Sequence, residues 1–213
     1  MSGRYTGRSD IPLTLDGESQ VLSSAKVLVG PGKIIDPSRL ARVFVSPRTR
    51  AQRSFELLFD GAAKEELQRQ GRIEVTEDVR EWEYGAYEGL LTAQIRAGRK
   101  ERGLDEERPW NIWIDGCEDG ESADEVKQRL DRVVVRIREI QSPYMHGEKC
   151  VDVVLIAHGH ILRAFVKRWL GFELGMRFPT MLEPGAVGVL SYEHHKVDEP
   201  ALLLGVNVGA GYG

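Results

Sequence analysis

The sequence predicts an α/β fold, a mostly parallel sheet with helices over its faces, in a single domain spanning 1–213. Three observations carry this. Short apolar runs alternate with stretches of helical periodicity along the chain. Two of those runs, 42–45 and 151–157, lead straight into helix-start signals, as strands do before crossover helices. The third is size: 213 residues, 41% hydrophobic and 29% charged, suffice for one buried core without disulfide or metal support.

Taken in order, residues 16 to about 29 place Val21, Leu22, Ala25 and Val29 at helical spacing, and Gly30-Pro31-Gly32 ends the pattern. Arg42-Val43-Phe44-Val45 reads as a short buried strand. Ser46-Pro47 follows, an N-cap and a first-position proline for a helix over 47–59 that buries Ala51, Phe55, Leu58 and Phe59. Ser122-Ala123-Asp124-Glu125 is a capping box, opening a helix with Val126, Leu130, Val133, Val134, Ile137 and Ile140 on one face. The run 151–157 is apolar enough for a strand buried on both faces. The helix after it carries Ile161, Leu162, Phe165, Val166, Trp169 and Leu170 and stops at Gly171. Two late strands, 187–192 and 201–204, are expected to form another sheet edge. The segment 92–119 holds five basic residues (Arg96, Arg99, Lys100, Arg102, Arg108) and then Pro109-Trp110-Asn111-Ile112-Trp113. It reads either as a solvated helix with an aromatic plug or as a lid whose bases meet a substrate phosphate.

Composition narrows the function. A net charge of −4 argues against nucleic acid or a membrane held by bulk electrostatics. No apolar run approaches the roughly 20 residues of a membrane span. Cys117 and Cys150 lie far apart and suit a reducing compartment, and the first residues lack signal-peptide character. A cytoplasmic enzyme acting on a small molecule is expected.

Three motifs carry chemistry. Arg50, in the first turn of its helix, can present a guanidinium fork beside free backbone N–H groups. His158-Gly159 stands at a strand end, where glycine lets a ligand approach the backbone. Arg80-Glu81-Trp82-Glu83-Tyr84-Gly85-Ala86-Tyr87-Glu88-Gly89 sets three carboxylates among aromatic rings, where one can be desolvated into a general acid. A zinc site built on His158, His160, His194 and His195 is the rival reading. Nothing in the sequence fixes its third ligand, and neither a metal nor another cofactor is expected.

Taken together, these motifs resemble the histidine phosphatase superfamily, which includes the phosphoglycerate mutases, and most of all its fungal sedoheptulose-1,7-bisphosphatase-type sugar phosphatases. The resemblance is carried by Tyr5-Thr6-Gly7-Arg8-Ser9-Asp10-Ile11-Pro12-Leu13-Thr14, by Ser46 to Ala51, by Arg80 to Gly89, by Pro109 to Trp113, by Gly120-Glu121-Ser122, by Ala157 to His160 and by Leu190 to His195. It implies a three-layer phosphoglycerate mutase-like fold and hydrolysis of a small sugar phosphate through a phosphohistidine. Arg50 matches the phosphate clamp, with Tyr5, Thr6, Gly7 and Gly159 lining the substrate. His158 matches the second pocket histidine and Glu81 the acid for the leaving oxygen, with Glu83 or Glu88 the nearest substitutes.

One departure stands out. The family nucleophile lies in an Arg-His-Gly motif on a central strand upstream of Tyr5-Thr6-Gly7, and this sequence contains no Arg-His-Gly. Losing such a strand forfeits on the order of 6–12 kcal/mol of aliphatic burial. The expectation is therefore a chain truncated at its N-terminus, lacking the first central strand and inactive as it stands. The alternatives are a non-catalytic sugar-phosphate-binding protein and mutase-type phosphotransfer.

Overall fold

In the computed structural model, residues 3–147, 149 and 151–205 are described; Cys150 lies outside them. The central run forms β1 (Leu40–Val45), and its alternation decides the layers. Val43 and Val45 face one core with Ala51, Phe55, Phe59 and Leu67, whereas Phe44 faces a second core with Leu130, Val133, Ile161 and Phe165. Strand β2 (Ile73–Val75) pairs parallel to β1 on one side and β3 (Asp152–Ile156) on the other, giving the order β2-β1-β3. Along β3 the same alternation sends Val154 and Ile156 to the first core and Val153 and Leu155 to the second.

Helices cover both faces. On the first lie α1 (Leu15–Leu28), α2 (Thr49–Leu58) and α3 (Gly61–Arg69). On the second lie α4 (Thr92–Glu101), the single turn α5 (Ile112–Asp115), α6 (Ala123–Gln141) and α7 (Gly159–Trp169). The capping box of α6 forms as expected. Ser122 Oγ accepts from Glu125 N at 3.2 Å, and the Glu125 carboxylate accepts from Ser122 N at 2.8 Å.

Three expectations need correction. Helix α2 starts at Thr49, not Pro47, and Ser46 does not cap it. The Ser46 hydroxyl is drawn into the interior by His158, and the cap comes from Asp10, whose Oδ1 accepts from Thr49 N at 2.7 Å. Strand β3 is not buried on both faces: residues 152–155 are half-buried, because β1 is its only partner among the described residues. The late strands β4 (Val189–Tyr192) and β5 (Pro200–Leu203) form a separate antiparallel pair and do not extend the sheet. They dock through side chains instead: Trp169 Nε1 donates to Ser191 O, and the Tyr192 ring lies 5.0 Å from that of Trp169.

The 92–119 segment takes the plug form. Trp110 is 1% exposed and its indole N–H donates to Gly116 O at 2.9 Å. Arg96 donates to Trp110 O, Arg99 to Asp105 and Tyr87, Arg102 to both oxygens of Glu118, and Arg108 to Asp115. Apart from the Arg99 bond to Tyr87, these bonds hold the segment to itself. Among the described residues no helix is long and apolar enough to cross a membrane.

Candidate functional site

Parallel pairing brings the C-terminal ends of β1 and β3 side by side, so the chain after Val45 and the chain after Ile156 share one sheet edge. Arg50 on the first turn of α2 and His158, the N-cap of α7, meet there. Arg50 Nε lies 3.1 Å from His158 Nδ1. A guanidinium only donates, so Nδ1 accepts; the neutral ring then carries its proton on Nε2 and gives it to Ser46 Oγ at 2.7 Å. His158 is 7% exposed, and burial, with the Arg50 charge second, pushes its pKa down to about 3. It is a neutral imidazole at ordinary pH.

Glu81 approaches from an irregular segment, not from the sheet. Its Oε1 accepts from Trp82 N at 2.9 Å and Ile161 N at 3.2 Å; Oε2 has only His160 N, at 3.4 Å. The carboxyl thus sits on the N-terminal turn of α7, bound by the N–H groups two and three residues past the His158 cap. Burial raises its pKa, against the opposing pull of those N–H groups and of Arg50. A buried carboxyl of raised proton affinity with one lightly bonded oxygen, a guanidinium and an imidazole therefore share one edge.

The loop 5–10 closes this edge. Arg50 Nη2 donates to Thr6 O at 3.0 Å and Nη1 to Ser9 O at 3.2 Å. Of the expected substrate-lining residues, Thr6 reaches Arg50 through its carbonyl, whereas Tyr5 and Gly7 hold the loop. Tyr5 pairs with the 89–90 backbone, and its ring stacks 5.4 Å from His160. At Gly7 a Cβ would lie 2.1 Å from Trp82 O, so only glycine fits. Gly159 is exposed as the first residue of α7, open to a ligand.

Glu83 and Glu88 are not free to replace Glu81. Glu83 pairs with Arg8. Glu88 accepts from the backbone N–H groups of Gly7, Arg8 and Ser9 at 3.0–3.3 Å. Burial pushes the Glu88 carboxyl up, but the Ser9, Gly7 and Arg8 donors outweigh it and its pKa ends below the ordinary value. It is an anchored carboxylate.

The histidines of the zinc reading are dispersed. His160 Nδ1 bonds Tyr84 OH at 2.9 Å, away from the Ser46 and Arg50 partners of His158, and His194 pairs with Glu199 beyond β4. Sequence reasoning missed Ser46 as the partner of His158 and missed Asp10 on α2. A buried serine at a strand end signals the first; nothing local signals the second, because Asp10 and Thr49 are 39 residues apart.

Residues 1–202 match the family model described as histidine phosphatase superfamily, branch 1. The chain is similar to the sedoheptulose 1,7-bisphosphatase of Saccharomyces cerevisiae, 37% identical over 235 aligned residues that cover 95% of this chain and 86% of that protein. It is also similar to an acid phosphatase of Mycobacterium tuberculosis, 34% identical with 90% and 80% covered. Among solved structures, the Rv3214 product of M. tuberculosis superposes with a TM-score of 0.68 at 29% identity over 95% of this chain and 88% of that one. A mycobacterial glucosyl-3-phosphoglycerate phosphatase does so with 0.58 at 25% identity over 81% and 74%.

Proposed function

The chain belongs to the histidine phosphatase superfamily, and from that premise we propose that its site grips a phosphomonoester of a small sugar, of the sedoheptulose-1,7-bisphosphate kind. The convergence of Arg50, His158 and Glu81 at one sheet edge supports the reading. The Arg50 guanidinium takes the phosphate, exchanging its bonds to the Thr6 and Ser9 carbonyls for charge-assisted bonds to phosphate oxygens. His158, neutral, donates its Nε2–H to a phosphate oxygen by exchanging its bond to Ser46 Oγ, and Glu81, whose proton affinity burial raises, is placed to give a proton from Oε2 to a leaving oxygen. At the same mouth Arg163 gives only Nε to a backbone carbonyl, that of Gly159, which leaves its remaining N–H groups for a second anionic group on the sugar.

Arg-His-Gly is absent from the sequence, and both ring nitrogens of His158 are engaged. In this form the chain binds the sugar phosphate without turning it over through a phosphohistidine. The test pairs two measurements on the purified chain: p-nitrophenyl phosphate and sedoheptulose bisphosphate hydrolysis, and calorimetric binding of both the sugar bisphosphate and inorganic phosphate. The expected result is binding, insensitive to EDTA, without hydrolysis. Turnover that copurifies with the chain and survives His158→Ala overturns the assignment of roles.

A further inference from the structure

Glu81 lies on neither helix nor strand, yet its carboxyl must meet the α7 N-terminus to within a few tenths of an ångström. What holds it is a pair of charges on the far side of the segment. Glu121 and Arg129 form a bidentate ion pair at 2.8 and 3.0 Å, with side chains 7% and 3% exposed. Every remaining side-chain bond they make lands on the segment around Glu81. Arg129 Nη1 donates to Asp78 O at 2.8 Å and Arg80 O at 3.0 Å, ahead of Glu81. The Glu121 carboxylate accepts from Arg80 Nη2 at 2.8 Å and, beyond Glu81, from Glu83 N at 2.9 Å. The Glu121 backbone accepts from the Trp82 indole and donates to Glu83 O, both at 2.9 Å.

A buried ion pair is an inefficient way to stabilise a fold, because desolvation cancels much of its attraction and apolar side chains of similar volume do as well. Its use here is geometric. The backbones of 83–85 and 118–121 are in direct apposition: a Cβ on Gly120 would lie 2.2 Å from Glu83 O, and one on Gly85 2.2 Å from Glu118 O. The two charges are thereby clamped against the one segment that carries the acid.

We infer that Glu121 and Arg129 are positioning residues for Glu81, fixing the 80–83 backbone so that its carboxyl stays closed against the start of α7. The inference rests on the reading of Glu81 as the leaving-group acid and adds the device that holds it. The charged and titratable groups around Glu81 are Arg50 from α2, Arg129 from α6 and Tyr84 on its own segment, with the backbone N–H groups of His160 and Ile161 from α7.

The test follows the ionisation of Glu81 by carbon NMR of the chain labelled at the glutamate carboxyls, the resonance being identified by its loss in Glu81→Gln. Arg129→Lys keeps a cation beside Glu121 but loses the fork that reaches Asp78 and Arg80. The paired Glu121→Leu, Arg129→Met variant removes both charges and keeps an apolar filling. In either variant, with the far-ultraviolet circular dichroism of the parent, the Glu81 midpoint is expected to shift down further than that of any other glutamate, as water reaches the loosened carboxyl. A folded variant with an unmoved Glu81 midpoint overturns the inference, and so does the failure of both variants to fold, which makes the pair a stability element. If Glu81 of the parent chain already titrates like the exposed glutamates, the acid reading itself falls and the inference with it.

Discussion

Replacing Arg50 by alanine isolates the phosphate grip. Its guanidinium makes three hydrogen bonds, to His158 Nδ1, Thr6 O and Ser9 O, at 3.0–3.2 Å. None of the three is to a carboxylate, so these bonds can be exchanged for the oxygens of an anion. A charge-assisted hydrogen bond contributes about 1.5–3 kcal/mol. One such bond lost to alanine weakens phosphate binding roughly 10- to 150-fold. The fold survives, because Glu88 still holds the loop through three backbone N–H groups and Asp10 still caps α2. Arg50→Lys recovers only part of the affinity, since an ammonium restores the charge but not the planar fork. Isothermal titration with inorganic phosphate and with a sugar bisphosphate, at fixed ionic strength, reads the loss, and circular dichroism controls for folding. A folded Arg50→Ala chain that binds phosphate within twofold of the parent refutes the argument.

The remaining predictions concern stability. Burial holds both His158 and His160 neutral down to about pH 3, whereas unfolded histidine protonates near pH 6.5. The unfolded state therefore binds more protons between those values, and the native state loses stability as pH falls from 6.5 toward 3. Urea midpoints should drop less between pH 7 and pH 5 in His160→Gln than in the parent; equal drops would count against neutral burial. Gly120→Ala forces a Cβ to 2.2 Å from Glu83 O and should cost at least about 1–3 kcal/mol, read as a lowered denaturation midpoint. Asp10→Ala removes the cap on α2, at about 0.5–2 kcal/mol. Because the Thr49 hydroxyl holds the Asp10 carboxyl below its usual pKa, that contribution is present above about pH 4 and fades as the pH falls below it. Parent and variant should converge in stability in acid, and a constant difference would show that the carboxylate is not the cap.

Much of the fold is legible because its signals are local. The capping box at Ser122 needs only four consecutive residues, and the alternation of Val43, Phe44 and Val45 follows from strand geometry. The edge position of β3 is not legible: its apolar run suits a central strand, and only its pairing in space shows β1 as its one partner among the described residues. Ser46 illustrates the same limit at the site. As a sequence it is a good N-cap; in space His158 claims the hydroxyl, and a carboxylate from a distant loop takes over the helix end.

By itself the sequence determined the layered α/β plan, the three chemical groups Arg50, Glu81 and His158, and the absence of an Arg-His-Gly triplet, because periodicity, caps and residue types are properties of short stretches. Tertiary structure decided the rest. It made His158 a neutral acceptor, raised the proton affinity of Glu81 and made an anchor of Glu88. Those properties depend on burial and on partners about 80 to more than 100 residues away along the chain, and no local pattern encodes either.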